Sequence, residues 1–298
     1  MIRHSAKAAG FTLIEMIVVI VITGIIAGAV AVFIRLPVQG YVDAARRAEM
    51  TDIADSALRR MGRDLRLALP NSIRITDGPT TGGLTLEFLL TRTGGRYRMA
   101  NDGAGAGDFL DFSLADSSFD QLGPLATGTG QGIVNNSDTL VVYNLGIPGA
   151  SAYALDNTAT ISSTAAGPQP LLVPPLLSNE TRINFFAKQF LLESPGARFQ
   201  VVEGPVSYAC DTTTGKLTRY WGYKIQPVQP TAAALPGLPG VLSALVATNV
   251  EKCAFDYTPG VTARSGVVAL TLKITESGAG ESAESAQLYH EVHVTNVP

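Results

Sequence analysis

The sequence predicts an α+β protein in which one long N-terminal helix packs on a domain rich in antiparallel sheet. Three observations predict it. Residues 16–34 form an apolar run with no ionisable side chain, the next stretch places apolar residues at i+4 steps as far as Leu69, and beyond Asn71 the hydrophobic period shortens from about 3.6 to about 2. The body, residues 71–298, fits one substantial domain better than two.

The first element begins behind a short basic leader, residues 1–10, MIRHSAKAAG, and residues 11–36 are its membrane-length half. At the helical rise the uncharged part alone reaches about 28 Å, close to the roughly 30 Å hydrocarbon core of a bilayer. One carboxylate, Glu15, stands at its head. A charge near the membrane interior costs about 2.5 to 3.5 kcal/mol on insertion scales, so Glu15 needs a partner. A secretory signal peptide would use Arg3 and Lys7 as its basic region and Ala27-Gly28-Ala29 as its cleavage site. The apolar run, however, exceeds the usual length of roughly 7 to 15 residues, and such a region has no use for a carboxylate. A plain single-pass anchor explains the length and leaves Glu15 unexplained. Cleavage between Gly10 and Phe11 accounts for both, because it creates a positive amino group that the Glu15 of a neighbouring molecule can approach, and the two charges offset each other where the dielectric is low.

The string Gly10-Phe11-Thr12-Leu13-Ile14-Glu15, with its basic leader and apolar run, resembles the class III signal of type IV prepilins and type II secretion pseudopilins. The resemblance implies a cut after Gly10, N-methylation of Phe11, and a role for Glu15 in subunit assembly. As partners it implies the prepilin peptidase/N-methyltransferase, other major and minor pilin-like subunits, the inner membrane and the pilus assembly machinery. Within the run, Gly24 and Gly28 have the GxxxG spacing that lets membrane helices approach closely, although small residues are also common in such helices. Pro37 cannot bond the carbonyl of Phe33, and Gly40 follows, so a kink or a short melted turn is expected. Arg3 and Lys7 precede the run, which leaves the N-terminus cytoplasmic and sends the C-terminal domain to the periplasm, with Arg35 reducing the asymmetry.

Residues 37–70 continue the helix as an amphipathic half, with Ile53, Ala57, Met61, Leu65 and Leu69 on one face. Asp43 with Arg47, Asp55 with Arg59, and Arg60 with Asp64 are expected i,i+4 pairs. Arg59, Arg60, Arg63 and Arg66 are interleaved with acids and lack aromatics, and the net charge is −3, so no nucleic-acid partner is expected. Pro70-Asn71 ends the helix.

About a dozen strands are expected beyond it. The clearest alternate apolar and polar side chains at residues 84–88 and 268–274; others are expected at 72–76, 96–99, 109–112, 139–145, 182–186, 199–203, 247–257 and 287–297. Residues 206–210 and 216–223, joined by Asp211-Thr-Thr-Thr-Gly215, read as a hairpin. Residues 123–132, 164–175 and the Pro-rich 226–240 read as loops. Cys210 and Cys253 suit an exported protein, in which a disulfide closing about 44 residues contributes roughly 4 kcal/mol; two separate buried thiols are the alternative.

Little in the sequence points to chemistry. His4 leaves with the leader, and the odd spacing of His290 and His293 sends them to opposite faces of a strand. No nucleophile elbow and no phosphate loop occurs. The segment 101–111 has oxygen ligands on a flexible loop but matches no calcium motif, so a plain turn is preferred. No catalytic residue, metal or cofactor is expected.

Further segments extend the resemblance through most of the chain: Arg35-Leu-Pro-Val-Gln-Gly-Tyr-Val-Asp-Ala-Ala-Arg-Arg47, Leu67-Ala-Leu-Pro-Asn-Ser72, Glu87-Phe-Leu-Leu-Thr-Arg-Thr-Gly-Gly-Arg-Tyr97, Gly204-Pro-Val-Ser-Tyr-Ala-Cys210, Arg219-Tyr-Trp-Gly-Tyr223 and His293-Val-Thr-Asn-Val-Pro298. They resemble the minor pilin-like subunits of mannose-sensitive haemagglutinin (MSHA) pilus systems, and the layout is similar to the J-type minor pseudopilins of type II secretion. The resemblance implies a low-copy subunit that primes or caps a pilus. A head that binds a ligand through loops such as 94–107 or 226–240 is the competing reading, although the sequence offers no clear aromatic-lined groove for it.

Overall fold

The computed structural model describes residues 10–76, 84–126, 128, 130–166, 174, 176, 177, 179–259, 265–276 and 283–298, with backbone alone at 35–39. The chain divides into two compact units, Met1–Glu49 and Met50–Pro298. Helix α1, Leu13–Arg66, is one unbroken element. It runs through Pro37, so the melted turn expected there is absent. The missing N–H removes one intrahelical bond, and the bonds on either side keep the backbone helical.

In the first unit the segment Leu13–Ile34 has a mean hydropathy of 3.0 and is uncovered by the described residues. Its 22 residues span about 33 Å, enough to cross a bilayer.

In the second unit the rest of α1 supplies one side of the main core. Met50, Ala54, Ala57, Leu58, Met61 and Leu65 are each at most 2% exposed, a stripe at helical spacing. They cluster with residues of two sheets, all of whose pairings are antiparallel. The larger sheet holds β1 (Arg74–Thr76), β2 (Leu84–Arg96), β3 (Asp116–Gln121), β4 (Thr139–Val142), β5 (Thr158–Ala166), β6 (Thr181–Lys188), β7 (Arg198–Asp211), β8 (Lys216–Trp221) and β9 (Leu242–Ala247). Its order is β1-β2-β7-β4-β5-β6-β3, with β8 also paired to β7 and β9 to β8. The smaller sheet is β10 (Val250–Pro259), β11 (Ser265–Glu276) and β12 (Glu284–Thr295), in chain order. The α+β architecture expected from the sequence is therefore present.

Each sheet meets the helix through one face. From the larger come Leu86, Phe88, Val206, Tyr208 and Leu217; from the smaller come Val268, Leu270, Leu272, Ile274, Val292 and Val294. A second core is aromatic, built from Tyr97, Phe119, Phe185, Phe190 and Phe199, with the Phe119 and Phe199 rings 5.1 Å apart edge to face.

Several local expectations change. Residues 109–112 are not a strand. The side chains of Leu110 and Phe112 reach the aromatic core from irregular backbone, and the carboxylate of Asp111 accepts bonds from the Ser113 N–H and hydroxyl in a tight turn. The strand lies just after it, as β3. β2 continues past Phe88 through shifts of register to Arg96, and β7 fuses two expected strands through Gly204, whose φ of 147° a side chain would strain. β5 and β9 were not expected, and β4 stops at Val142, before Tyr143 takes a φ of 51°. Of the expected loops, 164–166 belongs to β5 and most of 167–175 lies outside the described residues. Residues 127 and 129 of the loop at 123–132 lie outside them too. The Pro-rich loop holds a short 3-10 turn that buries Leu235 against Ala209 and Tyr223.

Candidate functional site

The start of α1 is set by its own side chains. Gly10, Phe11 and Thr12 precede the helix, and Phe11 is 83% exposed. The Thr12 N–H and hydroxyl both donate to Glu15 Oε2, each at 3.2 Å, and the Glu15 N–H donates back to the Thr12 hydroxyl at 3.4 Å. This is a capping box, Thr12 at the N-cap and Glu15 at the third helical position. The signal T-x-x-E was present in the sequence and was not read there. The carboxylate closes its own helix and complements the positive end of the helix dipole, and it stands four residues from the amino group that cleavage after Gly10 would create.

The box leaves the Gly10-Phe11 bond outside the helix, in exposed backbone. Arg3, His4 and Lys7 lie outside the described residues. Gly24 and Gly28 sit on the apolar helix, where a Cβ at either position would meet nothing within 4 Å, so a close-packing partner would have to come from outside the chain. Thr23 donates its hydroxyl to the carbonyl of Val19 at 2.5 Å, which satisfies that polar group within the apolar segment.

In the second unit, Cys210 of β7 and Cys253 of β10 form a disulfide with Cα atoms 6.4 Å apart, and no free cysteine remains. Separate thiols are thereby replaced by a cross-link between the two sheets. Asp55 bonds Arg59 at 2.6 Å as the helical spacing predicts. Asp64 instead takes partners from the larger sheet: the Tyr208 hydroxyl donates to it at 2.8 Å and Arg219 Nε at 2.7 Å. Burial and the negative charge of Asp64 hold the Tyr208 hydroxyl well above the usual tyrosine range.

Two buried polar groupings were not legible in the sequence. Glu87, with no side-chain exposure, receives Arg74 at 2.5 Å, Ser207 at 3.1 Å and Tyr223 at 2.9 Å, while the Arg74 guanidinium lies 3.6 Å from the centre of the Tyr153 ring. Asp120 holds Arg182 through both oxygens, at 2.6 and 2.9 Å, with Asp108 at 3.6 Å. Burial raises the Asp108 carboxyl, an effect partly offset by the Ser118 hydroxyl and by Arg182. In the segment 101–111, Asp102 accepts the backbone N–H groups of Ala104 and Ala106, so its carboxylate is used in a turn. His290 faces the helix at Gly62 while His293 is exposed, on opposite faces of β12. Among the described residues no three His, Cys, Asp or Glu side chains are placed to hold a metal ion.

An aromatic cleft is present after all. Tyr97, Phe109 and Phe112 line a space of about 200 Å³ with Met99, Asp111 and Glu193. Its residues come from separate segments, which is why no groove was visible in the sequence.

Residues 5–31 match the family described as the prokaryotic N-terminal methylation motif. Comparison with curated proteins and with solved structures found no match. Proteins bearing the motif are structural subunits rather than enzymes, and the motif implies processing by prepilin peptidase and assembly with other pilin subunits. With the apolar helix behind it, the matched segment supports a type IV pilin-like or pseudopilin subunit held by a single-pass membrane anchor.

Proposed function

We propose that the chain is a minor subunit of an MSHA-type pilus, of the kind called MshO, that is cut after Gly10, methylated on Phe11 and built into a priming or tip complex. The observation that carries this reading is an uncovered apolar helix, headed by an exposed Gly10-Phe11 bond and Glu15, on a chain whose second unit is closed by its own core and disulfide. The apolar segment Leu13–Ile34 has no covering partner among the described residues, so lipid and neighbouring subunits supply that cover. The leader is cytoplasmic and the second unit periplasmic in this reading, and Gly24 with Gly28 form part of the packing seam.

Mass spectrometry of the mature N-terminus tests the processing step. A start at N-methylated Phe11 supports it, and a start near Val30 returns the segment to a signal peptide. A deletion strain separates the systems. Loss of pili with intact exoprotein release supports the MSHA assignment, and the reverse assigns the chain to type II secretion. The aromatic cleft favours a second reading, a ligand-binding head at the pilus tip. It predicts that Phe109→Ala with Phe112→Ala abolishes surface attachment at unchanged pilus number.

A further inference from the structure

Arg96 and Arg198 stand directly opposite each other on β2 and β7. Both are exposed, and neither side chain has an ion-pair or hydrogen-bond partner among the described residues. Neighbouring arginines are different: Arg92 forms ion pairs with Asp138 at 2.9 Å and Glu203 at 3.3 Å, and Arg98 pairs with Glu180. Like charges directly opposite on adjacent strands are destabilising, so this pair costs the fold something that a bound anion would return.

The surroundings suit an anion. Arg96 and Arg198 line a cleft of about 350 Å³ with Thr91, Thr93, Gly94 and Gln200. A Cβ at position 94 would lie 2.8 Å from the carbonyl oxygen of Phe199, so bare backbone is imposed there and no side chain fills the space. The Thr91 hydroxyl and the Gln200 side-chain oxygen are both buried without a partner. The two guanidinium forks are the exposed donors at the cleft, and the two orphan oxygens lie beneath its surface.

We propose that this cleft binds a phosphate group, either as hydrogen phosphate or on a phosphorylated sugar. Two guanidinium groups balance the charge of about −1.5 to −2 on a phosphate near neutrality, and their planar forks match its oxygens. This inference is independent of the pilus reading.

The test uses the full chain in non-ionic detergent, with inorganic phosphate as probe and phosphorus-31 line broadening as readout. Saturable broadening is expected, and sulfate should compete for the same two guanidinium groups. Glucose 6-phosphate competing more strongly than inorganic phosphate would identify the sugar phosphate as the ligand, and equal competition the free anion. Arg96→Gln and Arg198→Gln should each weaken binding by about tenfold or more, and each should raise the phosphate-free thermal midpoint because repulsion is relieved. The proposal is overturned by an absence of saturable broadening in the unmodified chain, by unchanged affinity in both arginine variants, or by a lowered phosphate-free midpoint in both.

Discussion

The two ends of α1 are made of similar apolar side chains and meet opposite fates. Ile20 is 67% exposed and no described residue covers its segment, whereas Leu65 has no exposure and lies in a cluster fed by both sheets. The polar residues differ in step. Between Met16 and Ile34 no charge interrupts the apolar surface, while from Asp52 to Arg66 the charged residues other than Asp64, which bonds the larger sheet, leave one apolar stripe to be buried. A helix that is apolar all round needs a solvent other than water; one with a single stripe needs a partner on one side. Burial within the chain should therefore govern stability at one end and leave it untouched at the other.

The largest effect follows directly. Leu65→Ala should cost about 2 to 5 kcal/mol of unfolding free energy through lost burial and the cavity left behind, while Ile20→Ala leaves unfolding of the second unit unchanged. Denaturant unfolding of both full-length variants in the same detergent checks this. Comparable losses would show that the apolar end also supports the fold.

Removing the disulfide comes next. Cys210→Ala with Cys253→Ala frees a loop with a sequence separation of 43 and should cost about 2 to 4 kcal/mol. Because the bond ties the larger sheet to the smaller, hydrogen exchange should rise most in β10 and β11, next to the helix stripe. A uniform rise through both sheets would mean that they unfold as one body and that the bond acts only on the unfolded chain.

A smaller effect separates the units by pH. Burial raises the carboxyl of Asp108, so its folded value lies above its unfolded one. Stability from this group is present below the ordinary carboxylate range and is lost as pH rises through the folded value. Asp108→Asn should flatten that part of the stability curve between mildly acidic and neutral pH and leave the protein no less stable at neutrality. An unchanged slope in denaturant titrations across that range would place the dependence on other groups, such as Asp138, which burial shifts in the same direction.

What the sequence revealed was what repeats along it. The alternation of Val268, Leu270, Leu272 and Ile274 is local, and β11 buries those four side chains. The helix stripe was readable for the same reason. Both halves of β7 were readable too, but their continuity was not: Pro205 argues against an interior strand, yet it pairs with Leu89, with Gly204 at a φ of 147° beside it. β3, with the sequence DSSFDQ, has almost no β propensity and is held by Asp120 on Arg182 and by Phe119 in the aromatic core, contacts that join positions far apart in the chain. At the N-terminus Gly10, Phe11 and Glu15 stood out because a charge in an apolar run is conspicuous. Thr12 did not, since a threonine draws notice only when its reach to Glu15 is considered.

That reach yields the smallest stability effect and the sharpest division of roles. If Glu15 acts through its charge, Glu15→Gln should be processed normally yet enter pili poorly, because the amide still accepts from Thr12 but cannot neutralise the new amino terminus. Thr12→Val keeps the charge and removes the cap, at a cost of about 1 kcal/mol to the first helical turn, and should enter pili almost as well as the unmodified chain. If capping is what matters, the two variants exchange places. Glu15→Val loses both and should fail in either case, with unfolding of the second unit unchanged. Quantifying each variant in sheared pili against its membrane pool decides between charge and cap, and equal incorporation of all three would remove Glu15 from assembly altogether.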